Sequence, residues 1–284
     1  MKPIKLTRSL SWIDEYGIEI FIKDLEEDFG NYKKKYNKLQ FRDIEISYSD
    51  IKILLKDIND FVQNWMYRFS YWEIEILKEL KDILPIYPIC IDVGAYIGTY
   101  SLYLAKRLNA SVYAFEPNWN SYKHLCKHIS LNKEEENITP VGMALGNRRG
   151  HVFTSTPSNH NSGITYTILN TDMPIQNRVI VDKLDNNFSN EEIEFIKIDT
   201  EGKETEILYG AENIIKKNLP ILLIEVHGKG TRIPKFIRDL NYNYKGIKPN
   251  WSTSIRNYIL TTDNKEEFKP VSKILFDKEI KNDN

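Results

Sequence analysis

Asp92, Glu116, Asp199, Glu225 and His227 are far apart in the chain, yet each stands at or near the end of an apolar run that reads as a buried strand. In an open parallel sheet, ligands bind outside the carboxyl ends of the strands, so these residues belong on one rim. Such a rim supports two kinds of chemistry. A carboxylate at a strand end can accept hydrogen bonds from both hydroxyls of a ribose. A carboxylate or imidazole within reach of a nucleophile can take its proton as a bond forms.

The ribose role needs a neighbouring turn that lets a nucleotide-like ligand approach the backbone, and residues 91–107, IDVGAYIGTYSLYLAKR, supply one. Ile89, Cys90, Ile91 and Val93 form a short apolar strand with Asp92 at its end, and Gly94 and Gly98 bracket the turn. Leu102, Ala105 and Leu108 then recur at helical spacing, with Ser101, Lys106 and Arg107 facing elsewhere. A dinucleotide site wants G-x-G-x-x-G to cradle a pyrophosphate. Here Tyr96 replaces the second glycine, giving D-x-G-x-x-x-G. The next β-rich run, SVYAFEPN, ends in Glu116, the first candidate ribose ligand. Pro117 suits the first turn of a helix whose inner face is Tyr122, Leu125, Ile129 and Cys126.

The elements that would position these residues alternate strand and helix from the mid-eighties onward, which is the pattern of a mostly parallel sheet covered on both faces. Pro85 and Pro88 mark the boundary. Residues 1–84 read as an N-terminal helical cap, from helical spacing over Ile51, Leu54, Leu55, Ile58, Phe61 and Val62 and again over Ile74, Ile76, Leu77, Leu80 and Ile83. ITPVGM (138–143) reads as the third strand, residues 144–192 as short strands or an edge hairpin, and EFIKID (194–199) as a buried strand. A helix over 203–217, the strand PILLIEVH, a helix through Ile233, Phe236 and Leu240, and a closing hairpin of Tyr244–Ile247 with Tyr258–Thr261 complete a domain over 85–264. Residues 265–284 read as a charged tail.

With its Tyr71 to Leu80 segment, IDVGAYIGTYSLYLA, YAFEPN, VGMALGNRRG, NSGITY, VDKLDN, IKIDTEGKETEILYGAENII and ILLIEVH, the chain resembles the FkbM-type methyltransferases over about residues 71–228. The resemblance implies a class I, Rossmann-like fold, with a mostly parallel seven-stranded sheet, and S-adenosylmethionine as cofactor. It implies that Asp92, Gly94, Ala95, Tyr96 and Gly98 form the methionine-side loop and that Glu116, with Pro117, holds the ribose. Met143 and Ala144 would hold the adenine, Tyr71 and Glu73 would approach the methyl-donor pocket, and Asn161 and Ser162 would reach the site from the irregular region. Tyr96 departs from the family, which usually has Asn there. Asp199, His227, Glu225 and Glu201 are the candidate general bases, with His227 and Asp199 first: the imidazole for its ordinary pKa, the aspartate for its strand end.

Three function classes stay open. The first is O-methylation of a hydroxyl on a small molecule, glycan or lipid. The second is RNA ribose methylation, for which Lys197, Asp199 and Glu225 offer the groups, although a net charge of −1 argues against polyanion binding. A catalytically silent scaffold is the third, and an NAD-dependent oxidoreductase the outlying enzyme. Converging carboxylates and a histidine could orient a substrate through a divalent metal, but no compact ligand motif calls for one. Cys90 and Cys126 read as reduced core residues of a cytoplasmic protein, with no signal peptide or membrane span expected.

Overall fold

The computed structural model describes residues 4–7, 44–57, 60–69, 71–155, 166–168, 178–188, 190–226, 232–249, 252, 256–263 and 266–271. The chain begins with β1 (Ile4–Thr7), β2 (Ile44–Tyr48) and β3 (Ile51–Leu55), then α1 (Phe61–Phe69) and α2 (Ile74–Ile83). Next come β4 (Ile89–Val93), α3 (Thr99–Leu108), β5 (Ser111–Phe115), α4 (Trp119–Asn132) and β6 (Ile138–Val141). The irregular region holds β7 (Ala144–Leu145), β8 (Gly150–Ser155), β9 (Tyr166–Ile168) and β10 (Arg178–Asp182), paired in the order β7-β10-β8-β9. Then follow β11 (Ile193–Ile198), α5 (Glu204–Gly210), α6 (Glu212–Asn218), β12 (Ile221–Glu225), α7 (Lys235–Asp239), β13 (Asn243–Ile247), β14 (Asn257–Thr261) and β15 (Lys269–Pro270).

The main sheet runs β15-β13-β14-β12-β11-β4-β5-β6, with β12, β11, β4, β5 and β6 parallel and β14 antiparallel to both neighbours. Side chains alternate along its strands to two separate cores. Cys90, Val112, Ala114, Phe195 and Leu223 pack with α2, α3 and α4 on one face. Ile91, Val93, Phe115, Ile196, Ile198, Leu222 and Ile224 pack with α5, α6 and α7 on the other. This is the expected class I arrangement, and the expected closing hairpin is β13 with β14.

Four expectations are corrected. Ile51–Leu55 is a strand, not the start of a helix: Ile44, Ile46, Ile51 and Ile53 put β-branched side chains on a buried face and β3 pairs antiparallel with β2. The N-terminal zone therefore mixes a three-stranded sheet with two helices among the described residues. Among the described residues the main sheet has eight strands rather than seven, because the start of the supposed tail adds β15 and buries Phe268 and Val271. The helix expected over 203–217 is two helices meeting at Ala211.

Candidate functional site

Gly94 and Ala95 follow β4, and their amides both donate to the Phe115 carbonyl at 3.0 Å, drawing the turn over the end of β5. Gly94 has φ +78°, and a Cβ there would lie 1.8 Å from the Asp199 carbonyl oxygen. Its close approach is thus to the chain's own backbone at the end of β11. Gly98 opens α3 at φ +88°, and its Cβ would lie 2.6 Å from Leu125 Cδ1. Glu116 sits at the end of β5 and is 5% exposed. Its Oε2 accepts from the Tyr96 amide at 2.9 Å and its Oε1 from the Asn118 amide at 2.7 Å. Asn118 in turn caps α4, accepting from the amides of Asn120 and Ser121. Burial pushes the Glu116 carboxyl up to about 7 despite those two amide bonds, so it holds a removable proton near neutrality.

Facing Glu116 across the turn is a charged cluster centred on Lys197, which is 4% exposed. Lys197 and Asp92 are register partners on β11 and β4, both on the face covered by α3. Lys197 Nζ lies 3.2 Å from Asp199 Oδ2 and 3.3 Å from Asp92 Oδ1, the latter an ion pair without hydrogen-bond alignment. It also donates to the Gly94 carbonyl at 3.2 Å and sits 5.0 Å above the Tyr100 ring. Burial opposes its charge, but Asp199 and Asp92 outweigh burial and raise its pKa, so it stays an ammonium. Burial, with the Asp199 carboxylate beside it, raises the Glu225 carboxyl far above the usual range. Glu73, buried in left-handed backbone at φ 49°, accepts from the Tyr100 hydroxyl at 2.7 Å and the Asn257 amide at 3.1 Å.

These groups open onto one cleft of about 400 Å³, a size suited to a nucleoside-sized ligand. Gly94, Ala95, Tyr96, Glu116, Pro117, Met143 and Ala144 line one part of it, and Glu73, Asp199, Glu201 and Glu225 another. Phe61, Val62 and Trp72 from the N-terminal region form a wall, and Lys203 and Arg256 also line it. The Tyr96 hydroxyl ties that wall to the turn, donating to Asp60 Oδ1 at 3.0 Å and accepting from Gln63 Nε2 at 2.9 Å. Glu204 holds the opposite lip: its Oε1 accepts from the amides of Thr200 at 3.2 Å and Gly202 at 2.9 Å, and Glu201 between them is left-handed at φ 55°.

Of the expected site residues, Asp92 and Gly98 do not line the cleft. Asp92 is fully buried beneath the turn because its side chain points, like that of Lys197, between the sheet and α3, where Ser101 Oγ donates to its Oδ2 at 2.7 Å. Ser101 is therefore buried rather than outward-facing. Tyr71 is also in the core, donating to the Thr99 carbonyl at 2.6 Å. His227, Asn161 and Ser162 lie outside the described residues. Lys197 belongs to the site, its ammonium held by Asp199 and Asp92. The sequence carries its signal: a lysine inside the apolar run FIKID, two residues before an aspartate, has no way to be buried unpaired. Among the described residues no group of three or more His, Cys, Asp or Glu side chains is arranged to hold a metal. No described helix is long and apolar enough to cross a membrane.

Residues 92–244 match the family model of the methyltransferase FkbM domain. The chain is 23% identical over 164 residues to a hexuronic acid methyltransferase of Haloferax volcanii, covering 55% of this chain and 66% of that protein. It is 29% identical over 125 residues to a tRNA (guanine(37)-N(1))-methyltransferase of Batrachochytrium dendrobatidis, covering 40% of this chain and 26% of that one. A crystal structure of methyltransferase FkbM from Methylobacillus flagellatus shares the fold, with a TM-score of 0.50 and 18% identity over 70% of this chain and 52% of the other. The chain thus spans just under two thirds of the archaeal relative, about a quarter of the fungal one and about half of the bacterial structure.

Proposed function

Because the chain belongs to the FkbM methyltransferase family, and is thereby an S-adenosylmethionine-dependent methyltransferase, we propose that it methylates a hydroxyl oxygen on a glycan, small molecule or lipid. The observation that carries the oxygen chemistry is the Asp199–Glu225 pair, held by Lys197 on the same cleft as Glu116. A hydroxyl is a weak nucleophile unless its proton leaves as the new bond forms, and an ionised carboxylate on the cleft wall can receive it.

The residues present suit the cofactor. Glu116 has acceptor capacity left on both oxygens for ribose hydroxyls, and Met143, Ala144 and Pro117 offer an apolar site for a purine. The carboxylates Glu73, Asp199 and Glu201 favour a cationic sulfonium over a neutral thioether. When bound, the cofactor would supply an electrophilic methyl group and take up the electrons of the broken carbon–sulfur bond as a neutral thioether. A carboxylate on the cleft rim receives the hydroxyl proton, and Phe61, Val62 and Trp72 exclude water from the transfer.

The name of the archaeal relative, a hexuronic acid methyltransferase, supports a sugar-acid acceptor, and Lys203 and Arg256 at the cleft suit an acceptor that carries an anion. RNA is the second reading, suggested by the name of the fungal relative. Incubating the protein and a tritiated methyl donor with cell extract, then separating RNA, protein, lipid, glycan and small molecules, tests the choice. Label in the glycan, lipid or small-molecule fraction is expected. Label confined to RNA would contradict it.

A further inference from the structure

Asp199, just past the end of β11, and Glu225, at the end of the neighbouring strand β12, line the same cleft, and its chemistry depends on which of them carries a proton. Their surroundings are not equivalent. Asp199 Oδ2 has the Lys197 ammonium 3.2 Å away, and that ammonium is locked by two further oxygens, Asp92 Oδ1 at 3.3 Å and the Gly94 carbonyl at 3.2 Å. Glu225, at the end of the neighbouring strand β12, faces Asp199, Glu73 and Glu201. Among the described residues, the other charged or titratable groups at this end of the cleft are Tyr100 from α3, Lys203 after the Glu201 turn, and Arg256 ahead of β14.

We propose that Lys197 is a positioning residue for methyl transfer: its buried ammonium localises the negative charge of the Asp199–Glu225 pair on Asp199 and leaves the proton on Glu225. This rests on the hydroxyl-methylation reading and adds to it the identity of the base. Asp199 receives the acceptor proton, and Glu225 is a neutral donor that fixes the orientation of the Asp199 carboxylate. An opposite charge at this distance favours ionisation of the nearer carboxyl, whereas a second carboxylate beside Glu225 disfavours ionisation of Glu225. Direction follows from the register as well. Lys197 near the end of β11 and Asp199 just beyond it are two residues apart, so both project to the same side, while Glu225 stands at the end of the next strand. The same ammonium holds the Gly94 carbonyl, so the base and the cofactor turn keep a fixed separation.

Carbon-13 NMR of the side-chain carboxyls in the full chain, with Asp199 and Glu225 assigned through D199N and E225Q, reads the proton directly and needs no acceptor. In the unmodified protein at pH 7, the Asp199 carboxyl is expected to be ionised and Glu225 protonated. K197R should keep that distribution. K197M should raise the Asp199 titration by roughly one to three pH units, the shift an opposite charge at close range produces. A proton on Asp199 at pH 7, two ionised carboxyls at pH 7, or a K197M titration that overlays the unmodified one would each overturn the proposal. If K197M does not fold, the unmodified protein and K197R still decide it. Failure of the unmodified protein to bind S-adenosylmethionine in calorimetry would instead count against the methyltransferase reading, and leaves the proton measurement unaffected.

Discussion

Gly94, Glu116 and Lys197 each tie the cofactor turn to a different part of the molecule, and each makes a different prediction. At Gly94 any side chain meets the Asp199 carbonyl at 1.8 Å in a left-handed backbone, so the strain is not relieved by a rotamer change. Gly94→Ala should cost more than about 2 kcal/mol of stability, visible as a lower melting temperature, because backbone rather than a flexible side chain must move. In the proposed cofactor site, Glu116 would accept the ribose hydroxyls best as a carboxylate. With its carboxyl raised to about 7, affinity for S-adenosylmethionine should fall as pH drops below about 7 and level off above it. Titrations at pH 6 and pH 8 check the sign, and a flat profile would separate Glu116 from the ribose. The same shift has the opposite effect on the unliganded fold: the stability contributed by protonated Glu116 is present below its unfolded value of 4.5 and lost as pH rises through about 7. At this scale the sequence revealed the motif residues but misassigned Asp92. Its strand-end position is legible, yet only the register with Lys197 shows that it points under α3 rather than into the cleft.

Helix α4 carries the clearest lesson among the elements. Its apolar face, Leu125 and Ile129, follows from spacing, but the side chains that reach furthest are polar. Asn132 donates to the Lys52 carbonyl at 2.7 Å and accepts from its amide at 2.8 Å, closing the free edge of β3. His124 Nε2 donates to the Leu54 carbonyl at 2.7 Å, and His128 Nε2 accepts from the Leu54 amide at 2.8 Å. His128 Nδ1 donates to the Ile97 carbonyl at 2.7 Å, so one imidazole joins β3 to the cofactor turn. Such long-range pairing is invisible to periodicity, which is why Ile51–Leu55 reads as helix from sequence alone. Burial drives His128 down to about 4 and His124 down to about 2, with Lys56 and Lys127 nearby adding to both shifts. Both rings are neutral in the fold, so their contribution is present above the ordinary value of 6.5 and lost as pH falls towards 4. For His128 this amounts to roughly 3 kcal/mol. Thermal melts from pH 7 to pH 4.5 should show falling stability, with a shallower fall in His128→Gln. Parallel curves for the two proteins would remove His128 as the cause.

For the whole molecule, strand order is what turns scattered motifs into one site. The sheet sets β5, β4, β11 and β12 side by side, so Glu116, the Gly94 turn, Asp199 and Glu225 share one rim. Alternating strands and helices made that order legible, since parallel strands with covering helices have few ways to connect. Glu73 was expected at the pocket, but the rest of the N-terminal wall was not legible, because Phe61, Val62 and Trp72 line the cleft beside a segment that Asp60 and Gln63 tie to Tyr96 rather than through a local pattern. The central claim is that this rim binds S-adenosylmethionine through Glu116. Isothermal titration of the unmodified protein and Glu116→Ala with S-adenosylmethionine, and of the unmodified protein with NAD, tests it most directly. One S-adenosylmethionine per chain, at least tenfold weaker in Glu116→Ala for the loss of charge-assisted hydrogen bonds, with no NAD binding, is the predicted result. Tight NAD binding without S-adenosylmethionine binding, or an unchanged affinity in Glu116→Ala, would contradict it.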